Sequence, residues 1–257
     1  MYTIFMLLFY FFIIGLCIGS FLNVLIDRLT NDESILGRSY CDNCKKQLKS
    51  IDLIPVFSFF FLKGKCRFCK KKINFRYPIV EIITGILFLI YFIYFPTASL
   101  ITKVVELALI SSLIVVFFAD LKYQIIPDQM LILIGILGVF SFLQSSPNSP
   151  IIIKRLLDSL IVALPIFILF AFSKGRAMGF GDVKLSFVVG LLFGLWNGFF
   201  VLYIAFVLGA IVSLFLIIFK KKKIKSKIAF GPFIIIGTFC VFFIDKLSLF
   251  VIPFFSN

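Results

Sequence analysis

Two aspartates lie at the edges of long apolar runs, where an ionisable side chain is costly and tends to mark function. Asp120 ends the run SSLIVVFFAD, and Asp182 lies in the sequence MGFGDVK. Two carboxyl groups that share a proton can act as base and acid on one water molecule and hydrolyse a peptide bond. We expect Gly179 and Gly181 to allow irregular backbone and close approach beside Asp182. The alternative is two separate aspartates at a membrane interface, each paired with a nearby lysine.

The remaining composition leaves few other routes to hydrolysis. The chain contains no histidine, which excludes Ser-His and Cys-His nucleophile pairs, HExxH zinc hydrolases and a histidine proton shuttle. Asp128 competes with Asp120 for a catalytic role. It follows Pro127 and precedes an apolar run, as an N-cap residue would, so we interpret it as structural. The pair Asp120 and Asp182 is then the only hydrolytic machinery that the sequence offers.

Three further acids lie in or beside apolar runs. Glu81 follows Tyr77-Pro78 at the start of a run and is difficult to explain as a solvated surface residue. Asp158 and Asp245 lie near the ends of runs beside Lys or Arg. We expect these last two side chains to be solvated.

Four of the six cysteines form two pairs with a spacing typical of metal sites. Cys41-x-x-Cys44 and Cys66-x-x-Cys69 give the pattern CxxC–x21–CxxC. Four thiolates can close a tetrahedral site, and the spacing resembles that of zinc ribbons. We predict a structural zinc ion, since a site closed by four cysteines leaves no open position for catalysis. A disulfide pair is the main alternative, and a redox CxxC is a weaker one because no βαβ pattern surrounds it.

The elements that position these residues are predicted to be membrane helices. Of the 257 residues 61% are hydrophobic and only 15% are charged, whereas soluble domains contain about 25% charged residues. We predict an all-α polytopic membrane protein with about eight transmembrane helices. The apolar runs cover about residues 2–26, 79–95, 100–119, 129–144, 157–172, 185–197, 199–219 and 229–252.

The positive charge is concentrated in two stretches. Residues 27–77 hold 12 Lys or Arg against 5 Asp or Glu, and Lys220–Lys227 holds six lysines and no acid. If the loop 27–77 is cytoplasmic, alternating spans put 22 of the 26 Lys and Arg on that side, which agrees with the positive-inside rule. Both aspartates then lie at cytoplasmic ends of spans. We expect the basic stretches to face anionic lipids, and the long apolar runs argue against nucleic-acid binding.

Four blocks of the sequence together resemble the type IV prepilin peptidases, which are bacterial inner-membrane GxGD aspartic proteases. The first block, GSFLNVLIDRL, is similar to the family's GSFLNVxIxRL. The second contains both CxxC pairs, and the third and fourth contain the two aspartates. In this sequence the blocks are Gly19–Leu29, Cys41 to Glu81 with Asp52-Leu-Ile-Pro-Val56 between the CxxC pairs, Asp120–Asp128 and Met178–Leu185.

The resemblance implies a function and a domain organisation. Asp120 and Asp182 correspond to the family's catalytic aspartates. The implied reaction cuts prepilins or pseudopilins between a short basic leader ending in Gly and the hydrophobic segment that follows. The implied domains are a first membrane helix (1–26), a cytoplasmic basic loop with a zinc-ribbon-like tetracysteine site (27–77) and a GxGD protease membrane domain (78–257) with about seven helices.

Many members also methylate the new N-terminus with S-adenosylmethionine, an activity associated with the N-terminal cytoplasmic region. The chain has no glycine-rich nucleotide loop, so we assign no residues to this cofactor. The segments Gly19–Leu29 and Arg76–Glu81 are candidates for its site, and the alternative is that they pack the first two spans against the loop. A different functional class, a non-enzymatic scaffold or transporter that docks a partner on the zinc loop, also stays open.

Overall fold

The computed structural model describes residues 2–145, 149–176, 178–219 and 229–247. Within these residues every regular element is helical, and the only β pairing consists of isolated bridges. The predicted all-α class is therefore confirmed. The elements are α1 (Tyr2–Thr30), a 3-10 turn (Ser50–Leu53), α2 (Phe57–Phe61), α3 (Arg76–Tyr94), α4 (Leu100–Tyr123), α5 (Asp128–Ser145), α6 (Ser149–Ser173), α7 (Phe180–Ile218) and α8 (Gly231–Leu247).

Five of the described helices are long and apolar enough to cross a membrane, and two shorter apolar helices accompany them. The predicted multi-pass membrane class is confirmed, while the count of about eight spans stays a prediction. The five candidates are Phe5–Thr30, Arg76–Tyr94, Leu100–Tyr123, Ile152–Ser173 and Phe180–Ile218, and the shorter helices are Asp128–Gln144 and Gly231–Ile244.

The two predicted spans 185–197 and 199–219 correspond to two helical segments of α7, which meet at a break at Gly194. Gly190 and Gly198 lie close together, since a Cβ on Gly198 would be 3.4 Å from Gly190 Cα, whereas eight residues of continuous helix would separate them by about 12 Å. The element α7 is therefore not one continuous helix. It is interrupted at Gly194, which has φ 76° and ψ −167°. The sequence predicted the break at Trp196–Gly198, but these residues are helical. Only glycine adopts the Gly194 conformation readily, so the interruption falls there.

The break in α7 explains a wrong prediction about Asp158. A Cβ atom on Gly194 would lie 3.3 Å from Asp158 Oδ2 and would collide with the Arg155 guanidinium. Asp158 is consequently buried rather than solvated. The basic run Lys220–Lys227 and the side chain of Asp245 fall outside the described residues.

The chain divides into two compact units, Met1–Phe118 and Ala119–Asn257. In the first unit, α1 and α3 approach closely through glycine. A Cβ on Gly15 would lie 2.7 Å from Gly85 Cα, and one on Gly19 would lie 2.7 Å from Glu81 Cα. Glycines spaced four residues apart allow membrane helices to pack backbone to backbone.

Polar contacts extend this packing to the end of α1. Asn23 donates to the Tyr77 carbonyl at 3.0 Å, and Asp27 accepts from Arg76 at 2.7 Å and from the Tyr77 hydroxyl at 2.8 Å. The two segments considered for the methyl donor therefore bind each other where the loop leaves and re-enters the helices. These contacts favour the packing interpretation.

In the second unit, α7 is the central element and packs against α5, α6 and α8. Close approach again depends on glycine, since a Cβ on Gly190 would lie 2.6 Å from Ser159 Cα and one on Gly237 would lie 2.6 Å from the Val201 carbonyl oxygen. Neighbouring helices on several sides fix the first turn of α7. That turn carries Asp182.

Candidate active site and metal centre

Asp182 is the third residue of α7 and is only 7% exposed. Its Oδ2 atom accepts a hydrogen bond from the Gly179 N–H at 3.2 Å. A carboxylate in the first turn of a helix is stabilised by the positive end of the helix dipole. The side chain is thus held at the start of α7.

Asp120 lies in the last turn of α4 and is 5% exposed. Its Oδ2 atom accepts no hydrogen bond from the residues that the structure describes. Gly231, the first residue of α8, lies against this carboxyl group, because a Cβ there would be 2.5 Å from Oδ2. A buried carboxylate oxygen that accepts no hydrogen bond from the described residues is free to bind water or substrate.

Ile126 links the surroundings of the two aspartates. A Cβ on Gly181 and a Cβ on Gly231 would each lie 3.3 Å from an Ile126 side-chain atom. The Asp120 carboxyl also interacts electrostatically with that of Asp182. The structure therefore brings both predicted aspartates into one buried cluster within the second unit.

Gly231 is the member of this cluster that the sequence analysis missed. It starts α8 in the sequence Phe-Gly-Pro, four residues after Lys227, the last residue of the basic run. Gly-Pro at a helix start is a recognisable signal, but nothing in the local sequence relates it to Asp120.

The expectation for the glycines beside Asp182 is half correct. Gly181 does allow a close approach, to Ile126. Gly179 lies in irregular backbone just before α7, but its φ of −80° and ψ of 153° are extended values that any residue can adopt, so this backbone does not depend on glycine.

Asp128 lies outside the cluster. It is the first residue of α5, exposed, and paired with Lys184 at 2.7 Å. The ion pair joins the starts of α5 and α7, which agrees with the structural interpretation of Asp128.

The four loop cysteines lie at two similar hairpin turns in the first unit. We call residues 40–47 the first knuckle and residues 65–72 the second; each is closed by an antiparallel bridge. In both, the residue after the second cysteine has positive φ, 53° at Lys45 and 59° at Lys70. Asn43 connects them, accepting from Lys71 at 2.7 Å and donating to Cys69 Sγ at 3.6 Å. All four Sγ atoms lie within 4.8 Å of one another.

This arrangement fits a zinc ion. Zn–S bonds of about 2.3 Å in a tetrahedron separate the sulfur atoms by about 3.8 Å, and Cys41 Sγ lies 3.9 Å from Cys69 Sγ. The Lys71 N–H and the Asn43 amide lower the pKa of Cys69 to about 6, whereas burial raises the pKa of Cys41 to about 11. A bound dication would keep all four thiols deprotonated. Its contribution there would be structural, because four thiolates would fill the coordination shell.

Two family profiles match the chain. The Bacterial Peptidase A24 N-terminal domain matches residues 13–95, which include both knuckles, and the Type IV leader peptidase family matches residues 107–214, which include both aspartates. Among curated relatives, the prepilin leader peptidase/N-methyltransferase of Vibrio cholerae is 32% identical over 92% of this chain and 96% of its own length.

The chain belongs to the type IV prepilin peptidase family. Relatives of the same printed name from Bacillus subtilis and Aeromonas hydrophila are 30% and 28% identical, each over 88% of this chain and over 90% and 87% of their own lengths. No solved structure matches it. Gly231 lies beyond the matched range of the peptidase profile.

The family's association with S-adenosylmethionine can be tested against a cleft in the first unit. This cleft has a volume of about 270 Å³ and is lined by Lys63, Lys65 and Lys72 together with Phe59 and Phe60. S-adenosylmethionine carries two cationic groups, a sulfonium and an amine, against one carboxylate, so three lysines would repel its net positive charge. The cleft does not fit this cofactor.

We predict that this prepilin peptidase family member binds one zinc ion per chain through the two knuckles. Replacing Cys41 and Cys44 with Ser removes two of four ligands, so bound zinc is expected to fall below about a tenth of the wild-type content. The loop between α1 and α3 should then be cut readily by added protease. Metal analysis of the purified protein and limited proteolysis are the measurements.

Cys17→Ser is the matched control, because Cys17 is an exposed cysteine of α1 outside the metal cluster. It should keep the full zinc content. Full zinc in the Cys41 and Cys44 double variant would rule out the tetracysteine site.

Proposed function

We propose that this chain removes the short basic leader from type IV prepilins or pseudopilins. The proposal depends above all on the buried pair Asp120 and Asp182; one Asp120 carboxylate oxygen accepts no hydrogen bond from the described residues. Family membership and the printed names of the relatives support the substrate class.

The two carboxyl groups would divide the work of hydrolysis. One takes a proton from a water molecule as the water attacks the carbonyl carbon of the leader's final Gly, and the other, protonated, donates its proton to the reacting peptide. The reaction is balanced, because the hydroxyl of the water becomes part of the new carboxyl terminus and its proton goes to the new amino terminus. The Gly179 N–H fixes Asp182, and the Gly231 backbone lies against Asp120. These two contacts hold the carboxyl groups in position.

We place the reaction at the cytoplasmic face of a bacterial inner membrane. The positive-inside distribution of Lys and Arg favours a cytoplasmic loop 27–77. Asp120 lies in the last turn of one candidate span and Asp182 in the first turn of another. A prepilin whose leader stays in the cytoplasm, ahead of a membrane-embedded helix, presents its scissile bond at this level. Anionic lipids, attracted by the basic loop, would concentrate the basic leader.

We further propose that the chain methylates the new N-terminus, as the relatives' names suggest. Co-expression with a candidate prepilin should therefore yield a pilin that has lost its leader and gained about 14 Da, the mass of one methylene group. Intact mass spectrometry reads both steps at once. A full-length prepilin would reject the peptidase, and a shortened pilin without the added mass would reject the methylation alone.

A further inference from the structure

Helix α2 presents three phenylalanine side chains to the exterior of the loop. Phe57, Phe60 and Phe61 are 57%, 63% and 83% exposed, and we call them the phenyl face. Phe59 points the other way, contacting Gly64 and making an edge contact with Phe75 at 5.5 Å. An apolar patch of this kind marks a protein or membrane contact.

A contact with α3 fixes the depth of the phenyl face. Glu81, the sixth residue of α3, accepts a hydrogen bond from the Val56 N–H at 2.7 Å. Five residues of helix rise about 7 Å, and α3 is a candidate membrane span from its first residue, Arg76. Helix α2 therefore begins beside the first turns of a membrane-crossing helix.

The turn that delivers α2 to this position is strained. Val56 has φ 62° and ψ −52°, and the Phe57 N–H donates to the Pro55 carbonyl at 2.6 Å. This is a γ-turn whose central residue is β-branched and in a region that L residues rarely adopt. Such a conformation persists only where the surroundings impose it. The buried Glu81 carboxylate provides that restraint.

Positive charge lies directly beside the apolar rings. The cleft lined by Lys63, Lys65 and Lys72 includes Phe60 of the phenyl face in its wall. This arrangement lies at the level of a span's first turns, where a membrane has a phosphate layer above an apolar region. The lysines match the phosphate layer, and the exposed aromatic rings match the apolar region beneath it. A soluble protein partner would have to reach the same depth against the bilayer, so the observations favour lipid.

We propose that the phenyl face and the lysine cleft form one membrane-docking surface. Phe57, Phe60 and Phe61 enter the headgroup layer of the membrane that the chain spans, and the cleft lysines contact phosphates of anionic lipids. This anchors the zinc-binding loop against the bilayer. The inference rests on the membrane location and lipid partner of the proposed function, and it is independent of peptidase chemistry.

Depth-dependent fluorescence quenching tests the apolar part. The chain has a single tryptophan, so Trp196→Phe gives a silent background for Phe61→Trp in the full chain, reconstituted in vesicles containing brominated lipids. The matched control is Phe68→Trp at the tip of the second knuckle. We expect bromines to quench the tryptophan at 61 at least about twofold more than that at 68. Equal or weaker quenching at 61 would overturn the proposal.

The charged part is tested by lipid composition. Replacing phosphatidylcholine with phosphatidylglycerol should strengthen quenching at position 61 by about twofold, and replacing the three cleft lysines with Gln should remove that increase. The control triple variant loses the same charge at the knuckle tips, through Lys45, Lys46 and Lys70, and should keep the increase. If both triple variants lose the increase, the overall positive charge of the loop causes it rather than the three cleft lysines. That result would overturn the role of the cleft.

Leader cleavage is followed in the same vesicles. Quenching without cleavage would reject the proposed peptidase and support the docking surface. Cleavage without quenching at position 61 would support the proposed peptidase and reject the docking surface.

Discussion

Replacing Asp182 or Asp120 with Asn is expected to lower the rate of leader cleavage by about 10³-fold or more, because neither proton transfer can occur with an amide at either position. Asn keeps the size of each side chain, so the buried cluster should stay packed. The measurement is single-turnover cleavage of a purified prepilin by the reconstituted protein, with zinc content and membrane abundance recorded for each variant.

Asp128→Asn is the matched control for this experiment. Asp128 is also an aspartate near the start of a helix, but it is exposed and paired with Lys184. Its loss removes one surface ion pair worth at most about 1 kcal/mol, so the cleavage rate should change little. A rate within tenfold of wild type in Asp182→Asn, or an equal loss in Asp128→Asn, would contradict the assignment of the pair.

Gly231→Ala is expected to lower the cleavage rate by about 100-fold, although glycine brings no reactive group. The added methyl group would lie 2.5 Å from Asp120 Oδ2 and 3.3 Å from Ile126. The carboxyl group must therefore move, and a displacement of about 1 Å at a catalytic group costs about that factor. The rate is measured with the same prepilin at saturating concentration.

Gly209→Ala controls for the effect of adding a methyl group near α8. A Cβ at Gly209 would lie 3.5 Å from Phe233, an ordinary contact, so cleavage should be nearly unchanged. Thermal unfolding of both variants separates a displaced carboxyl group from a misfolded protein. If Gly231→Ala is folded and cleaves at the wild-type rate, Gly231 does not help to position Asp120.

The aspartates could be predicted from the sequence because the relevant signal is local. An acid at the end of an apolar run is costly wherever the chain goes, so Asp120 and Asp182 stand out without any knowledge of the fold. The knuckles are local in the same sense, since the CxxC spacing itself brings thiolates together. Gly231 has no such signal, because its role arises only when the start of α8 lies against the end of α4.

The position of the break in α7 and the environment of Asp158 could not be predicted for a related reason. Hydropathy predicted two segments here but did not locate the residue at which they divide, because Gly194 lies inside an apolar run. The polar surroundings of Asp158 exist only because that interruption falls next to α6. Both features are set by helix packing rather than by the composition of either segment.

Short-range cross-linking tests most directly whether Asp120 and Asp182 face one site. In the full chain in membranes, Asp120→Cys combined with Asp182→Cys should be joined efficiently by a short bifunctional thiol reagent. The control combines Asp158→Cys with Asp182→Cys. Asp158 lies against Gly194, twelve residues and about 18 Å along α7 from Asp182, so this pair should not be joined. Efficient labelling of both cysteines at 120 and 182 without a link between them would contradict the two-aspartate site.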